Sequence, residues 1–409
     1  MHILLIHQAF AAIDEPGGTR HHEFARLFAA DGHRVSIIAS PVSYLTGKQA
    51  RKSKVTLDAG GLIAIYRTYT YPALHKSFFH RIFSFLSFML SSFFKSLSIY
   101  HVDAVWGTSP PIFQSFTAWL VARLKGVPFI LEIRDLWPAF AIAVGVLNNK
   151  TLIALSQWLE KFLYRHADLI VVNSPGFIEH IRARGGKNIC LIPNGADPLF
   201  FSEVPGDPRK DHPEWKGKFV VLYTGAHGMS NDLEVVLQAA GLLQEHDDIR
   251  FVLLGDGKEK PHLIEMAKSM GLTNLEFADP LPKTEMPVAI AAADACLAIL
   301  KPIEMYKTTY PNKVFDYMAA GKPIILAIDG VIREVVKKSD CGIFCQPGDP
   351  QEMSEAILKL YRDPKTARQK GLNGQHYLAE HFDRARIAAD FMDRIQETVG
   401  GYGRKNTNS

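Results

Sequence analysis

The chain has 409 residues, which is longer than a single hydrophobic core usually supports. We therefore expect two domains of about 200 residues each. Hydrophobic residues make up 47% and charged residues 22%, so the composition excludes a disordered chain. The formal net charge of +4 suits an anionic substrate or an anionic membrane surface, and it is too small to indicate nucleic-acid binding. The four cysteines lack metal-site and disulfide spacing, so we interpret them as free thiols in a reducing cytoplasm.

The N-terminal half begins with a β-α-β unit. The apolar run His2–Ile6 predicts a strand and not a signal peptide, because no basic segment or cleavage site accompanies it. A glycine turn at 16–18, a helix at 19–30 and a strand at 35–39 follow, which indicates a parallel sheet covered by helices. Further short strands are predicted at 62–66, 104–106, 129–133 and 169–172.

The same pattern restarts after residues 197–216, a stretch rich in Pro, Asp and Lys that we interpret as a linker. The second half is predicted to contain strands at 218–223, 250–254 and 324–327, a glycine turn at 225–228 and a helix at 233–243.

Two doubly wound α/β domains are therefore expected, at 1–200 and 217–383. Such sheets bind ligands beyond the carboxyl ends of their strands, so we expect the ligand in a cleft between the domains. A last amphipathic helix, at about 384–398, is one that can pack back on the first domain. The polar tail at 400–409 is predicted to be disordered.

Glycine turns lie at matching positions in the two halves. Gly17 and Gly18 follow the first strand, and Gly225, with His227 beside it, follows the first strand of the second half. Glycine lets the backbone approach a phosphate group, and the following helix N-terminus offers unpaired N–H groups and a positive dipole end. A tight turn that binds nothing uses the same residues. The full G-x-G-x-x-G pattern is missing from the first turn, which counts against a dinucleotide dehydrogenase.

A third turn, at 255–257, is followed by Lys260. A solvated charge cluster at a strand end is at least as consistent with this pattern as contact with a ligand.

The segment 306–323, YKTTYPNKVFDYMAAGKP, carries the strongest signal of function. Pro311 suits the first turn of a helix that carries Lys313 and, three residues on, Asp316. The lysine can meet an anionic group, and the carboxylate can accept hydrogen bonds from ribose hydroxyls. The competing interpretation is an exposed Lys–Asp pair that contributes less than about 1 kcal/mol.

The segment from Phe78 to Tyr100 is unusually apolar. It contains a stretch without charge from Ile82 to Phe94, flanked by Arg81 and Lys95, and this is shorter than the ~20 apolar residues that a membrane-spanning helix needs. Two interpretations stay open: a helix packed on the sheet, or an interfacial helix that grips the membrane near a lipid-linked acceptor.

In combination, several segments resemble a known family. They are PGGTRHHEFARLFAADGHRVSII at 16–38, EIRDLWP at 132–138, LIPNGADPLFF at 191–201, LLGDGKEK at 253–260 and NKVFDYMAAGKPII at 312–325. They resemble the retaining glycosyltransferase family 4, which has the GT-B fold of two Rossmann-like domains. The nearest branch is the bacterial one that builds O-antigen and capsule repeat units and includes N-acetyl-fucosamine transferases. The resemblance spans nearly the whole chain.

The resemblance implies roles for individual residues. Gly17 and Gly18 would lie near the donor diphosphate, and Arg134 and Asp135 near the transferred sugar. Asp316 matches the second acid of the family's E-x7-E motif, which binds ribose.

Thr308 stands at the first acidic position of that motif, and Thr309 and Asn312 are assigned to the same donor-binding segment. The family's arginine and lysine in the second-domain loop fall on Ala226 and Asn231.

Another cation must therefore offset the donor phosphates. The order of preference is Lys313, Arg134, Lys260 and His227, and Arg134, Asp135 and Lys313 are assigned to catalysis.

The resemblance implies front-face transfer with retention, in which the leaving phosphate takes the acceptor proton and the protein supplies positioning and electrostatic stabilisation. No D-x-D triplet or histidine cluster occurs, so neither metal nor cofactor is expected. We expect a cytoplasmic enzyme, peripheral on the inner face of the membrane. It would transfer a sugar from a nucleotide-sugar, UDP-linked by resemblance and an N-acetylated deoxyhexose in the branch named, to a polyprenyl-diphosphate-linked saccharide.

Two alternatives remain. The first is a nucleotide-sugar epimerase of the same fold, for which the apolar segment from Phe78 to Tyr100 has no evident use. The second is a non-catalytic module that holds a nucleotide or a glycan, which the missing acid at Thr308 and the missing clamp residues favour.

Overall fold

The computed structural model describes residues 1–43, 54–72, 78–202, 204, 206–210 and 212–407. The chain forms two compact units. The first comprises Met1–Ala12, Gly18–Pro193 and Ala385–Ser409, and the second comprises Ile13–Gly17 and Asn194–Arg384.

The first unit is built on an eight-stranded sheet with the order β3-β4-β2-β1-β5-β6-β7-β8. Its strands are β1 His2–Ile6, β2 Arg34–Ala39, β3 Val55–Asp58, β4 Ile63–Arg67, β5 Ala104–Ser109, β6 Phe129–Ile133, β7 Leu169–Val172 and β8 Ile189–Leu191. Its helices are α1 Arg20–Ala30, α2 Phe78–Leu97, α3 Ile112–Lys125, α4 Ala139–Ala143, α5 Lys150–His166, α6 Ile178–Ala183 and the C-terminal α15 Arg384–Thr407.

Every strand pairing in this sheet is parallel except that of β3 with β4. The central strands are buried along their whole length, as in the LIVV run of β7. Continuous apolar runs of this kind are typical of strands that helices cover on both faces. The chain first builds outward from β1 through β2 and then restarts at β5 on the other side of β1, so β1 and β5 flank the topological switch point.

The second unit is built on a six-stranded parallel sheet with the order β11-β10-β9-β12-β13-β14. Its strands are β9 Phe219–Thr224, β10 Ile249–Leu254, β11 Leu275–Ala278, β12 Ala295–Ile299, β13 Ile324–Ala327 and β14 Gly342–Phe344. Its helices are α7 Pro198–Ser202, α8 Leu233–Leu242, α9 Lys260–Ser269, α10 Met286–Ala291, α11 Asn312–Ala319, α12 Val331–Ser339, α13 Pro350–Arg362 and α14 Pro364–His381. Here β9 and β12 flank the switch point.

The predicted α/β class with two parallel sheets is confirmed. The strands β3, β8, β11, β12 and β14 were not predicted individually. Four of them are short and only partly buried and so carry weak periodicity, whereas β12 is buried along its whole length.

The prediction of a disordered C-terminal tail is wrong for residues 400–407, because α15 continues to Thr407, and the last two residues lie outside the described part. Phe391 of this helix packs edge-on against Phe24 and Trp106 of the first unit, with ring centroids 5.8 Å and 5.0 Å away. Farther along, the Tyr402 hydroxyl accepts a hydrogen bond from Arg123 at 3.2 Å. These tertiary contacts outweigh the low helix propensity of the glycines at 400 and 401.

The segment 197–216, predicted as a linker, is more ordered than expected in its described part. It contains α7 and a 3-10 turn at Pro213–Trp215, and Trp215 is only 3% exposed. The burial of one large aromatic side chain favours order here in spite of the polar composition.

Candidate functional site

In the second unit, the loops that follow β9 and β12 meet at the switch point. The amide of Lys301 donates to the carbonyl of Ser230 at 2.9 Å, and the hydroxyls of Tyr306 and Ser230 are hydrogen-bonded. The glycine turn that begins at Gly225 and the segment that leads into α11 are therefore held side by side. This is the edge at which open parallel sheets bind ligands.

Glycines let the turns after β9 and β10 pack closely. Gly255 has a φ of +152°, and a Cβ on it would lie 1.8 Å from the carbonyl oxygen of Gly225. At Gly225, with a φ of +132°, a Cβ would lie 3.1 Å from the Nζ of Lys313. Neither position tolerates a side chain without displacement of its neighbours. The third turn, at 255–257, thus supports the Gly225 turn.

Lys313 is the buried cation of this edge. Its Nζ lies 3.7 Å from the centroid of the Tyr223 ring, and no hydrogen-bond partner for it exists among the described residues. Burial lowers the pKa of Lys313 to about 7. An ammonium group held only by an aromatic face, with its N–H donors unused, lacks the partners that buried charges normally have. An anion that entered here would supply them.

His227 lies in the same turn and is fully buried. Within the described part of the chain, neither of its ring nitrogens has a hydrogen-bond partner. Burial, reinforced by the charges of Lys260 and Lys313, lowers the pKa of His227 to about 4, so the ring is neutral near pH 7. A neutral imidazole offers one donor and one acceptor to a ligand.

Lys260, expected among the phosphate-binding cations, is engaged elsewhere. Its Nζ donates to the carbonyls of Gly255 at 2.9 Å and Ala278 at 3.1 Å and lies 3.2 Å from a carboxylate oxygen of Asp279. Its three donors are thus used to tie the ends of β10 and β11 together. Lys260 therefore stabilises the turns and does not bind the ligand, because none of its donors is left for one.

Asp316 does not share a partner with Lys313. Its Oδ1 accepts from the Nζ of Lys283 at 2.7 Å, and the two side chains are 15% and 9% exposed. Nothing in the spacing of the sequence pointed to Lys283, which lies in a 3-10 turn at Lys283–Glu285, before α10. The interpretation as an exposed Lys313–Asp316 pair is wrong. The expected contact with ribose competes here with a largely buried ion pair.

The remaining predicted residues of this segment lie just before α11 or at its first residue. The hydroxyls of Thr308 and Thr309 donate to the carbonyls of Met305 at 2.6 Å and Tyr306 at 2.8 Å, which closes the 3-10 turn before the helix. Asn312 is exposed at the first residue of α11.

In the first unit, Arg134 directly follows β6, next to the switch strand β5. Its backbone amide donates to the carbonyl of Ser109 at 2.9 Å, and its Nη2 donates to the carbonyl of Pro110 at 3.1 Å. Its Nε is buried without a partner among the described residues. The neighbouring Asp135 is exposed, so a ligand can reach its carboxylate.

Gly17 and Gly18 precede α1, where the sequence places them. Gly17 has a φ of +142°, a conformation that side chains disfavour, whereas a Cβ on Gly18 would meet nothing within 4 Å. Only the first of the two glycines is therefore required by the backbone.

A buried network connects the start of α1 with β6. Glu132 accepts from the Nε of Arg20 at 3.0 Å, lies 2.7 Å from the Nε2 of His21 and accepts from the indole of Trp106 at 3.0 Å. Burial raises the pKa of Glu132, but His21 and Arg20 outweigh it and hold that pKa well below its usual range. The network fixes the first helix relative to the strand that carries Arg134.

The helix α2 is turned so that its small polar residues face the protein. Ser84, Phe88 and Ser92 recur every four residues and are at most 1% exposed, whereas Phe83 and Phe94 are 62% and 68% exposed. Serine allows close packing, and Phe83 and Phe94 are left outside. The helix therefore packs on the unit and also exposes phenylalanines, while its contact with a membrane stays a prediction.

Among the described residues, no helix is long and apolar enough to cross a membrane. In the same part of the chain, no cluster of three or more His, Cys, Asp or Glu side chains could hold a metal ion.

Comparison with known families gives a consistent result for both units. Residues 17–195 match the glycosyl transferase 4-like domain, and residues 218–363 match the group 1 glycosyl transferases.

Among the relatives is WcaI of Escherichia coli K12, assigned to colanic acid biosynthesis as a glycosyl transferase. It is 22% identical over 91% of this chain and 94% of its own length. WbjE of Pseudomonas aeruginosa, named a probable glycosyltransferase, is 26% identical over 63% of this chain, and the match spans just under two thirds (66%) of WbjE. The crystal structure of HepE from Anabaena with UDP-glucose superposes with a TM-score of 0.71 and 16% identity, over 98% of this chain and all of HepE.

The fold is therefore that of the GT-B proteins, with two Rossmann-like units. The chain belongs to the glycosyltransferases, with a 4-like domain followed by a group 1 domain.

Proposed function

We propose that the protein is a retaining, metal-independent glycosyltransferase that uses a UDP-linked sugar. It transfers this sugar, an N-acetylated hexose or deoxyhexose, to a polyprenyl-diphosphate-linked saccharide in surface polysaccharide synthesis. It acts in the cytoplasm at the inner face of the membrane. Its donor diphosphate binds beside the Gly225 turn.

The observation that carries this proposal is the buried ammonium of Lys313. It lies at the switch point of the second unit, next to a glycine turn, and its N–H donors have no acceptor among the described residues. A diphosphate supplies both the negative charge and the acceptors that this group lacks. With the family's usual clamp replaced by Ala226 and Asn231, Lys313 is the residue that offsets the leaving charge.

The roles of the other residues follow from their chemistry. The Gly225 turn lets the backbone approach the diphosphate, and His227 offers a neutral donor to it. Arg134 and Asp135 contact the transferred sugar. The departing phosphate oxygen takes the proton of the acceptor hydroxyl, so the protein lowers the barrier through position and electrostatics. The ammonium of Lys313 does the work that a metal ion does in other transferases.

The relatives support a UDP-linked donor and a role in the synthesis of a surface polysaccharide. HepE was crystallised with UDP-glucose, which favours a UDP-linked donor for a chain of the same fold. WcaI is assigned to colanic acid biosynthesis, which favours a surface polysaccharide. The family resemblance implies a lipid-linked acceptor, and the exposed phenylalanines of α2 suit an enzyme that works at the membrane boundary.

The test is a thermal-shift titration of the purified protein with UDP, GDP, ADP and CMP. A ligand that binds only the folded state raises the melting temperature, so UDP should raise it and the other three should raise it less. No rise with any of them at concentrations of about 1 mM would contradict the donor site and favour the non-catalytic alternative. Hydrolysis of the donor without an acceptor would favour an epimerase-like enzyme.

A further inference from the structure

We infer that the membrane-binding surface of this protein is not α2 alone but the joined outer face of α2, α3 and α5, with Leu155 and Trp158 of α5 as a second insertion point into an anionic lipid bilayer. The inference rests on the proposed membrane association and extends it to residues that the sequence did not indicate.

The three helices lie side by side on one face of the first sheet. Helix α3 packs against both of its neighbours. The side chains of Trp119 on α3 and Phe162 on α5 meet edge to face, with ring centroids 4.8 Å apart. Trp158 stacks on Phe162 at 5.6 Å and is itself 57% exposed. The aromatic packing between α3 and α5 thus continues outward to the surface.

Exposed aromatic residues are confined to this region. Among the described residues, the aromatic side chains that are exposed lie on α2 or α5 or in the segments that flank α2. They are Tyr69, Phe83, Phe94, Tyr100 and Trp158. The second unit exposes aliphatic side chains, such as Leu242 at 52%, but within its described part no aromatic one. Aromatic side chains prefer the membrane–water boundary, so their clustering favours a bilayer and not a generic apolar surface.

The charge of the three helices is strongly asymmetric. Together they contain seven Lys and Arg residues and one carboxylate, although the whole chain has 46 Lys and Arg against 42 Asp and Glu. That carboxylate, Glu160, is 1% exposed and pairs with Arg184 and His180. Glu160 therefore does not reduce the positive electrostatic potential at the outer surface of these helices.

The helix α5 carries exposed cations as well as the exposed apolar residues Leu155 and Trp158. Lys150, Lys161 and Arg165 are exposed and have no ion pair within the described part of the chain. Exposed Lys and Arg next to exposed Trp and Leu on one helix are typical of interfacial helices that bind anionic lipids. A second protein chain would require a carboxylate-rich partner face. The whole chain has nearly equal numbers of basic and acidic residues, so its composition does not indicate such a face in a second copy.

Vesicle co-sedimentation tests the inference. We expect the wild-type protein to bind vesicles of phosphatidylcholine mixed with phosphatidylglycerol and to bind pure phosphatidylcholine weakly. The double variant Leu155→Ser/Trp158→Ser should bind the mixed vesicles at least about tenfold less. Each of Lys150→Gln and Lys161→Gln should reduce binding by about fivefold. Leu242→Ser, a comparable exposed leucine in the second unit, is the matched control and should bind as wild type.

A fluorescence measurement gives an independent readout. Brominated lipids quench tryptophans that enter the bilayer, so quenching of the wild type should fall by at least half in Trp158→Phe, which leaves four tryptophans in place. The UDP-induced thermal shift of each variant serves as the check that it is folded.

The outcomes separate the two proposals. If Phe83→Ser/Phe94→Ser loses vesicle binding while the α5 variants keep it, the membrane contact is limited to α2 and the inference is overturned. If the wild type binds no anionic vesicle but still shows the UDP shift, both membrane claims fail and the donor site stands. A change from dimer to monomer in the α5 variants, with vesicle binding unchanged, would make this face a subunit interface and also overturn the inference.

Discussion

The ammonium nitrogen of Lys313 lies 3.7 Å from the centroid of the Tyr223 ring, and this aromatic contact takes the place of the hydrogen bonds that a buried charge normally makes. A cation–π contact recovers only part of the hydration that the ammonium loses. The folded protein therefore holds this residue at a cost in stability. Residues that break the usual rules of burial in this way are typical of ligand-binding positions.

We expect Lys313→Met to lose nucleotide binding and to gain stability. The variant removes an unpaired buried charge and keeps the length of the side chain over Tyr223. The melting temperature of the unliganded protein should rise by at least about 3 °C, because the charge costs on the order of 3 kcal/mol near pH 7. The UDP-induced shift should disappear. Calorimetry with and without UDP measures both effects.

Lys268→Met is the matched control, since this lysine is exposed at the last turn of α9. It should change neither the melting temperature nor the shift with UDP. A Lys313→Met protein that still binds UDP as wild type would remove Lys313 from the donor site.

Nucleotide binding should weaken as the pH rises from about 7. The pKa of Lys313 is about 7 in the free protein, and the ammonium form is the one that binds an anion. Above that pKa, affinity should fall by up to about tenfold for each pH unit, until the raised pKa of the bound state is passed. Titration calorimetry between pH 7 and 9, where the ligand's charge changes little, provides the measurement.

The same pKa fixes the sign of the effect on stability. Between about 7 and the unfolded value of about 10.4, the unfolded chain binds more protons at this residue than the folded one, so the Lys313 contribution to stability rises with pH. Lys313→Met should lose this rise of stability with pH.

The affinity measurement can contradict the site directly. If the affinity of the wild type for the nucleotide does not change between pH 7 and 9, the site does not depend on the ammonium form of Lys313.

The Lys283–Asp316 pair allows structural and ligand-binding roles of Asp316 to be distinguished. Asp316→Ala leaves the ammonium of Lys283 largely buried without its carboxylate, which should cost about 3 kcal/mol of stability. The donor-binding interpretation requires at least a tenfold loss of transfer as well. In Lys283→Met/Asp316→Leu, no charge of this pair is left unpaired, so stability should largely return.

The transfer activity of the double variant distinguishes the structural role of Asp316 from its ligand-binding role. We expect it to remain at least tenfold below wild type, because the carboxylate that binds ribose is still missing. If activity returned along with stability, Asp316 would have only the structural role of pairing with Lys283. Thermal melts and transfer rates are measured on the wild type, Asp316→Ala and the double variant.

The sequence predicted the residue types of the donor segment better than their contacts. Strands such as β7 were recognised because buried parallel strands are continuous apolar runs, and the glycine turns were recognised because they follow such strands. The position of Lys313 in the first turn of α11 followed from Pro311. Its unpaired burial was not predictable, since it depends on Tyr223 and on the close approach of Gly225, which is 88 residues away in sequence.

Other contacts were missed for the same reason. Lys283 reaches Asp316 from 33 positions away, and Lys260 turned inward to the carbonyls of Gly255 and Ala278. Long-range side-chain pairs leave no local periodicity that a single sequence could show. The buried face of α2 was also not predictable, because its serines and phenylalanines are interspersed and either face of the helix could be the buried one.

Arg134→Ala should reduce sugar transfer at least tenfold while the protein stays folded. Arg134 donates to the carbonyl of Pro110, but its buried Nε has no partner in the described part of the chain, so part of its hydrogen-bonding capacity is left for a ligand. Arg26→Ala, at an arginine that is 51% exposed, is the control and should retain full activity. Full transfer by Arg134→Ala, with a native melt, would exclude it from the sugar site.

Removing the charges at Arg81 and Lys95 should lower recovery with membranes while activity on a soluble acceptor is spared. Both residues lie on α2, and the Nζ of Lys95 is 4.1 Å from the centroid of the Tyr66 ring, near one end of the exposed phenylalanine surface. Each cation near an anionic surface contributes about 1 kcal/mol, so the double variant Arg81→Gln/Lys95→Gln should partition about tenfold or more less to anionic membranes.

The salt dependence distinguishes this effect from a loss of the fold. Electrostatic attraction to lipid headgroups is screened over about 10 Å at an ionic strength of 0.1 M, so added salt should weaken wild-type binding and affect the double variant much less. Its turnover of a short-chain acceptor in detergent should match the wild type, because neither cation belongs to the proposed sugar or diphosphate contacts. If membrane binding and turnover of the short-chain acceptor fell equally, α2 would instead support the acceptor site itself.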